Sequence, residues 1–126
     1  KDGNDVTIVA TGHLVWEAIK ASEKLAENGI NAEIINIHTI KPLDEDIILK
    51  SVSKTGCLVS AEEHNIYGGL GESISRLLVT KLPSPQEFVG TKDTFGESGP
   101  PSELMNKYGL NSLSIYNSTV EVLKRK

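Results

Sequence analysis

At 126 residues and 13.6 kDa, the chain has room for one compact domain, large enough to bury roughly two-thirds of its unfolded surface without a disulfide. Its 38% hydrophobic and 24% charged residues exclude intrinsic disorder. With 13 basic against 17 acidic side chains, a formal charge of −4, the chain lacks the charge for a broad phosphate-binding surface, and nucleic acid is not an expected partner.

Two kinds of segment alternate along the chain. The first strand is Val6-Thr7-Ile8-Val9-Ala10, a nearly continuous apolar run of the sort covered on both faces. A helix over residues 14–28 follows, with Val15, Ala18, Ile19, Ser22, Leu25 and Ala26 on one stripe and Gly29 as its C-terminal cap. The second strand spans residues 32–37. After Pro42 a second helix carries Asp44, Glu45 and Asp46 in its first turn and Lys50 and Lys54 towards its end, complementing the helix dipole, and Gly56 closes it. Residues 57–61 form the third strand, where the single cysteine, Cys57, reads as a small buried hydrophobe. A third helix over 71–82 buries Leu70, Ile74, Leu77 and Leu78 and stops at Pro83. Residues 87–90 form an edge strand, residues 101–108 a short helix, and a last helix starts at Ser112 as N-cap. This βαβαβαβ order predicts a three-layer α/β/α domain with a mostly parallel, mixed sheet that carries one antiparallel edge strand.

Four constellations could carry chemistry. Tyr67-Gly68-Gly69-Leu70-Gly71 leads from a strand into a helix, but Ile74 stands where a dinucleotide fingerprint wants Gly or Ala, so a tight strand-to-helix turn is the expected role. His13, His38 and His64 each follow a predicted strand and would line the carboxyl edge of the sheet; no two show a ligand spacing, and no metal site is expected. Ser73 and Ser98 each sit in Gly-Glu-Ser, and neither completes a nucleophile elbow. Glu62 and Glu63, adjacent in a strand, would point to opposite faces and could not address one substrate atom together. The sequence therefore shows an α/β edge without a complete catalytic set. Glu62, Glu63, His64, Gly68, Gly69 and Gly71 are the candidate loop and interface residues, expected to order the loop after the third strand by hydrogen bonding. No apolar run approaches the ~18–20 residues of a membrane span, no signal peptide is seen, and a cytoplasmic chain with no membrane partner is expected. Lys at position 1, with Met105 the sole methionine, leads us to expect either a trimmed chain or a domain cut from something longer.

Several stretches occur in a familiar order: Val6 to Gly12, Glu17-Ala18, Asn36-Ile37-His38-Thr39-Ile40-Lys41-Pro42-Leu43-Asp44, and Ala61-Glu62-Glu63-His64-Asn65 through Gly71. They resemble the C-terminal domain shared by transketolases, 1-deoxyxylulose-5-phosphate synthases and the β subunits of 2-oxoacid dehydrogenases. The run from Gly90 through Asp93 to Gly99, followed by Leu104 and Tyr108-Gly109-Leu110, is most similar to transketolase, including forms whose two halves are encoded separately. The resemblance implies part of a cytoplasmic pentose phosphate pathway enzyme that moves a two-carbon ketol unit from a ketose phosphate to an aldose phosphate. It implies thiamine diphosphate and Mg²⁺ or another divalent metal in the full enzyme, held by domains this chain lacks. No catalytic, cofactor or metal residue carries over to a position here, and the fragment alone is expected to bind no cofactor and to be inactive. The implied partners are the remaining transketolase domains or an N-terminal subunit, within a homodimer of the full enzyme. The same domain of a deoxyxylulose-phosphate synthase or a 2-oxoacid dehydrogenase β subunit is one alternative, and a free-standing small-ligand or nucleotide-binding module is another. Trp16, beside the helical stripe, is the side chain expected to mark an apolar docking patch or else to seal its helix against the sheet.

Overall fold

The computed structural model describes residues 2–38, 42–65, 69–91 and 110–126, with the backbone alone at His64, Asn65 and Thr91. Four strands, β1 (Val6–Ala10), β2 (Ala32–Asn36), β3 (Leu58–Asn65) and β4 (Gln86–Thr91), form one sheet in the order β2-β1-β3-β4. All three pairings are parallel. The expected antiparallel edge strand is absent among the described residues, and the expected helix at 101–108 lies outside them. Helices α1 (Leu14–Glu27), α2 (Glu45–Thr55) and α3 (Leu70–Lys81) are the crossovers, and α4 (Ser112–Lys124) ends the chain.

Each sheet face packs a core of its own. Val6, Ile8 and Ala10 of β1 and Val59 and Ala61 of β3 meet Leu14, Ala18, Ala21 and Leu25 of α1 and Ile115 and Val122 of α4. Val9, Ile35, Ile37 and Leu58 meet Ile48 and Val52 of α2 and Ile74, Leu77 and Leu78 of α3 on the other face. Burial on both sides is why these strands read as apolar runs. Thr7 is polar and buried on this second face, where its hydroxyl lies 2.7 Å from both Ser51 Oγ and Thr55 Oγ1, so the buried oxygens satisfy one another.

Three details of the elements differ from expectation. The buried stripe of α1 is Leu14, Glu17, Ala18, Ala21, Ser22 and Leu25, while Ala26 is exposed. It is rotated because α4 packs beside α1 as well as the sheet does. The N-cap of α4 is Asn111, whose Oδ1 accepts the Ser114 N–H at 2.9 Å, rather than Ser112. Strand β3 runs on to Asn65, so Glu62, Glu63 and His64 belong to the strand and not to the loop after it; pairing with β4 resumes at Asn65 and Thr91 after a register shift.

Candidate functional site

The strand order places a topological switch point between β1 and β3. The chain leaves β1 through α1 towards β2 at one margin and leaves β3 through α3 towards β4 at the other. Open α/β sheets take their ligands in the crevice this creates at the carboxyl ends of the strands, where helix N-termini present unpaired N–H groups.

Here those N-termini hold the chain's own carboxylates. Glu62 is 1% exposed, and its Oε1 and Oε2 accept the Leu70 and Gly71 N–H groups at 2.8 and 2.7 Å, spanning the first turn of α3. Glu63 points to the opposite face, and its Oε1 accepts the His13 N–H at 2.7 Å, at the start of α1. Glu17, 7% exposed on α1, accepts the Ser112 N–H at 2.9 Å, at the start of α4, and pairs with Lys20 Nζ at 2.7 Å. Asp44 Oδ1 accepts the Ile47 N–H of α2. Each anion lies at the positive end of a helix dipole. A phosphate arriving at one of these ends would have to displace a carboxylate already seated on the donors it needs. Burial pushes Glu17 up, but the hydrogen bonds from Lys20 and the Ser112 N–H outweigh it and hold the carboxyl below its usual range.

Two glycines allow this close arrangement. Gly12 has φ +55°, a left-handed conformation, and a Cβ there would stand 3.1 Å from Glu63 Oε1. At Gly71 a Cβ would stand 2.5 Å from Phe88 Cδ2 and 2.7 Å from Ser60 Oγ, so α3 can sit on β3 and β4 only without a side chain there. Gly69 is the N-cap of α3 in an extended conformation, and Gly68 lies outside the described residues. His13 and His38 are both exposed, and nothing brings them together. Among the described residues no group of three or more His, Cys, Asp or Glu side chains could hold a metal ion. Sequence reasoning missed Glu17 as a cap for a helix nearly a hundred residues downstream; its one signal is a charged residue at a position that turns out to be on the buried face.

Two large apolar side chains next in sequence to the Glu17–Ser112 contact are exposed: Trp16 at 65% and Leu113 at 57%. Trp16 therefore does not seal α1 against the sheet. Among the described residues no helix is long and apolar enough to cross a membrane.

Comparison with known proteins agrees over the whole fold. Residues 1–115 match the family model described as transketolase, C-terminal domain. The chain is 45% identical over 126 residues to the 6-deoxy-6-sulfo-D-fructose transketolase subunit SqwH of Clostridium sp. (strain MSTE9), covering all of this chain and 39% of that protein. It is 41% identical over 128 residues to the 1-deoxy-D-xylulose-5-phosphate synthase of Desulforudis audaxviator, of which it covers 20%. Among solved structures, a split-gene transketolase described as an inactive β4 tetramer superposes with a TM-score of 0.94 at 38% identity, covering 98% of this chain and 41% of that one. A Pichia stipitis transketolase, at 22% identity and a TM-score of 0.72, shares the fold. This chain thus spans well under half the length of these relatives. A four-stranded parallel α/β domain with this strand order, matched from its first residue to its last helix, belongs to the transketolase C-terminal domain family.

Proposed function

We propose that this chain is a single domain serving as the C-terminal assembly domain of a transketolase, an enzyme that transfers a two-carbon ketol unit from a ketose phosphate to an aldose phosphate. The observation that carries this reading is the occupancy of the carboxyl edge: Glu62, Glu63, Glu17 and Asp44 sit on the N-termini of α3, α1, α4 and α2. Where a nucleotide-binding module of this topology keeps donors open for phosphate, this one is filled from within. That disfavours a free-standing ligand-binding module. On this reading the edge docks protein instead, through Trp16 and Leu113, and Glu62, Glu63, His64, Gly68, Gly69 and Gly71 shape the docking loop. Thiamine diphosphate and its divalent metal belong to the remaining domains or to an N-terminal subunit, and the complete cytoplasmic enzyme is a homodimer of the pentose phosphate pathway.

A second reading, the same domain of a deoxyxylulose-phosphate synthase, draws support from the 41% identity to one such enzyme. The donor assay separates the two, since that synthase consumes pyruvate and transketolase a ketose phosphate.

The test is reconstitution. The purified chain with thiamine diphosphate, Mg²⁺ and sugar phosphates is expected to show no turnover and no cofactor binding, and turnover is expected when the rest of the parent enzyme is added. Trp16→Ala should weaken that association without lowering the melting temperature of the chain alone. Turnover by the chain alone, or association indifferent to Trp16→Ala and to Leu113→Ala, would overturn the docking reading. His64→Ala in the full enzyme should leave turnover of the assembled species intact; a large fall with assembly unchanged would assign this domain a part in the chemistry.

A further inference from the structure

The chain holds one Asn-Gly pair, Asn28-Gly29, at the carboxyl end of α1. Asparagine followed by glycine is the pairing most prone to lose ammonia, because the second residue has no side chain to keep its backbone nitrogen away from the amide carbon of the first. Asn28 is exposed, and a Cβ on Gly29 would meet nothing within 4 Å, so water reaches both residues.

The fold nonetheless holds each group that this reaction must move. The Gly29 N–H, which has to give up its proton, donates to Ala26 O at 3.0 Å. The next amide, that of Ile30, donates to Leu25 O at 3.0 Å, with Gly29 at φ +77° in the left-handed turn that ends the helix. Asn28 Nδ2, which has to depart, uses both of its N–H bonds. One goes to Lys24 O at 3.1 Å within α1, the other to the Tyr116 hydroxyl of α4 at 3.2 Å. Lys24 Nζ lies 5.5 Å from the centre of the Tyr116 ring and helps to fix it there. Of these partners of Asn28 and Gly29, Tyr116 alone comes from another element, 88 residues along the chain.

We propose that Asn28 is a site of spontaneous deamidation by water, and that the seat of α4 on α1 keeps it shut. When α4 lifts, Asn28 loses Tyr116 and its side chain is released to turn towards Gly29. The Gly29 nitrogen then bonds to Asn28 Cγ, and Nδ2 leaves as ammonia, carrying the Gly29 amide proton. Water opens the resulting five-membered imide at either carbonyl, leaving aspartate or isoaspartate at position 28. The product cannot remake the same contacts. A carboxylate has no proton to offer Lys24 O, and it stands among the last carbonyls of α1, where the helix dipole opposes negative charge. Hydrolysis is not reversed, so each opening of α4 that ends in reaction leaves the contact between α1 and α4 weaker.

Peptide mapping by mass spectrometry, reading the conversion of amide to acid at Asn28, tests this on the 126-residue chain incubated in mildly alkaline buffer with and without urea. Conversion is expected to be about tenfold or more slower in the folded chain than in urea. Tyr116→Phe keeps the ring and removes the hydroxyl, and should speed conversion in the folded chain roughly two- to tenfold, the worth of one hydrogen bond. Val52→Ala, in the core on the opposite face of the sheet, should leave the rate unchanged. Asn28→Asp, which carries the product's charge, should melt a few degrees below the unaltered chain. No conversion at Asn28 in urea overturns the site itself. Equal rates in buffer and urea, a Tyr116→Phe chain no faster than the unaltered one, or an equal acceleration by Val52→Ala overturns α4 as its guard. An unchanged melting temperature for Asn28→Asp overturns the weakening of the contact.

Discussion

Glu62 and Gly71 are one device seen from two sides. The carboxylate can reach the Leu70 and Gly71 N–H groups only because the missing Gly71 side chain lets α3 settle onto Phe88 and Ser60. Gly71→Ala forces a Cβ into space already held by a ring and a hydroxyl, and is expected to cost about 1–3 kcal/mol, read as a lower urea midpoint at unchanged slope. The buried carboxylates also set the response to acid. Glu17 and Glu33 both have folded-state carboxyls held below their ordinary value of 4.5; in each, burial pushes upward and is outweighed, by Lys20 and the Ser112 N–H for Glu17 and by Lys54 and Ser51 for Glu33. A lowered folded pKa means that the unfolded chain binds protons more readily, so this stabilisation is whole above the ordinary value and is lost as pH falls through the lower, folded one. Glu17→Gln should therefore be less stable than the parent chain near neutrality, and the gap should close on acidification below 4.5, followed by denaturant midpoints across that range.

At the scale of elements, α4 depends on α1 for its seat. Ile115, Thr119 and Val122 are its buried face, and Ile115 is wholly buried in the core shared with Leu14, Ala18 and β1. Ile115→Ala removes a branched side chain from a packed layer and is expected to cost about 2–5 kcal/mol. Two residues earlier, Leu113 is more than half exposed, and Leu113→Ala should change stability by no more than about 0.5 kcal/mol, within the range of surface substitutions. Thermal unfolding of the two variants side by side separates a packing residue from an exposed one on the same helix.

Across the whole molecule, the sheet divides two cores, and Cys57 lies at the amino end of one of them. It is fully buried, and burial pushes its thiol above the ordinary value, so it is both shielded and protonated. Arg125 and Lys126 reinforce this end: Arg125 bonds Gln86 O and Glu87, and Lys126 Nζ donates to Asp5 O at 2.9 Å. Cys57 should react with a thiol reagent only through global opening, at a rate that tracks denaturant as the unfolding free energy does. Fast modification under native conditions would place the opening locally, at this end of the sheet.

The alternation of doubly buried strands with amphipathic helices was legible in the residues, because a strand covered on both faces must be apolar throughout and a crossover helix must be apolar on one side. Gly56 marked the end of α2 for an equally local reason, a left-handed φ of +84°, whereas Asp44, read as a first-turn acid, is its N-cap. That Glu62 and Glu63 point to opposite faces also followed from strand alternation alone. Which N–H groups those carboxylates meet did not, since Glu63 reaches His13 from 50 residues away and Glu17 reaches Ser112 across 95. The rotation of the α1 stripe towards Glu17 and Ala21, the length of β3 and the exposure of Trp16 were likewise decided by neighbours remote in the chain. Periodicity records that a residue is to be buried, and only tertiary packing settles against what. The filled carboxyl edge, on which the functional argument turns, is a property of that packing.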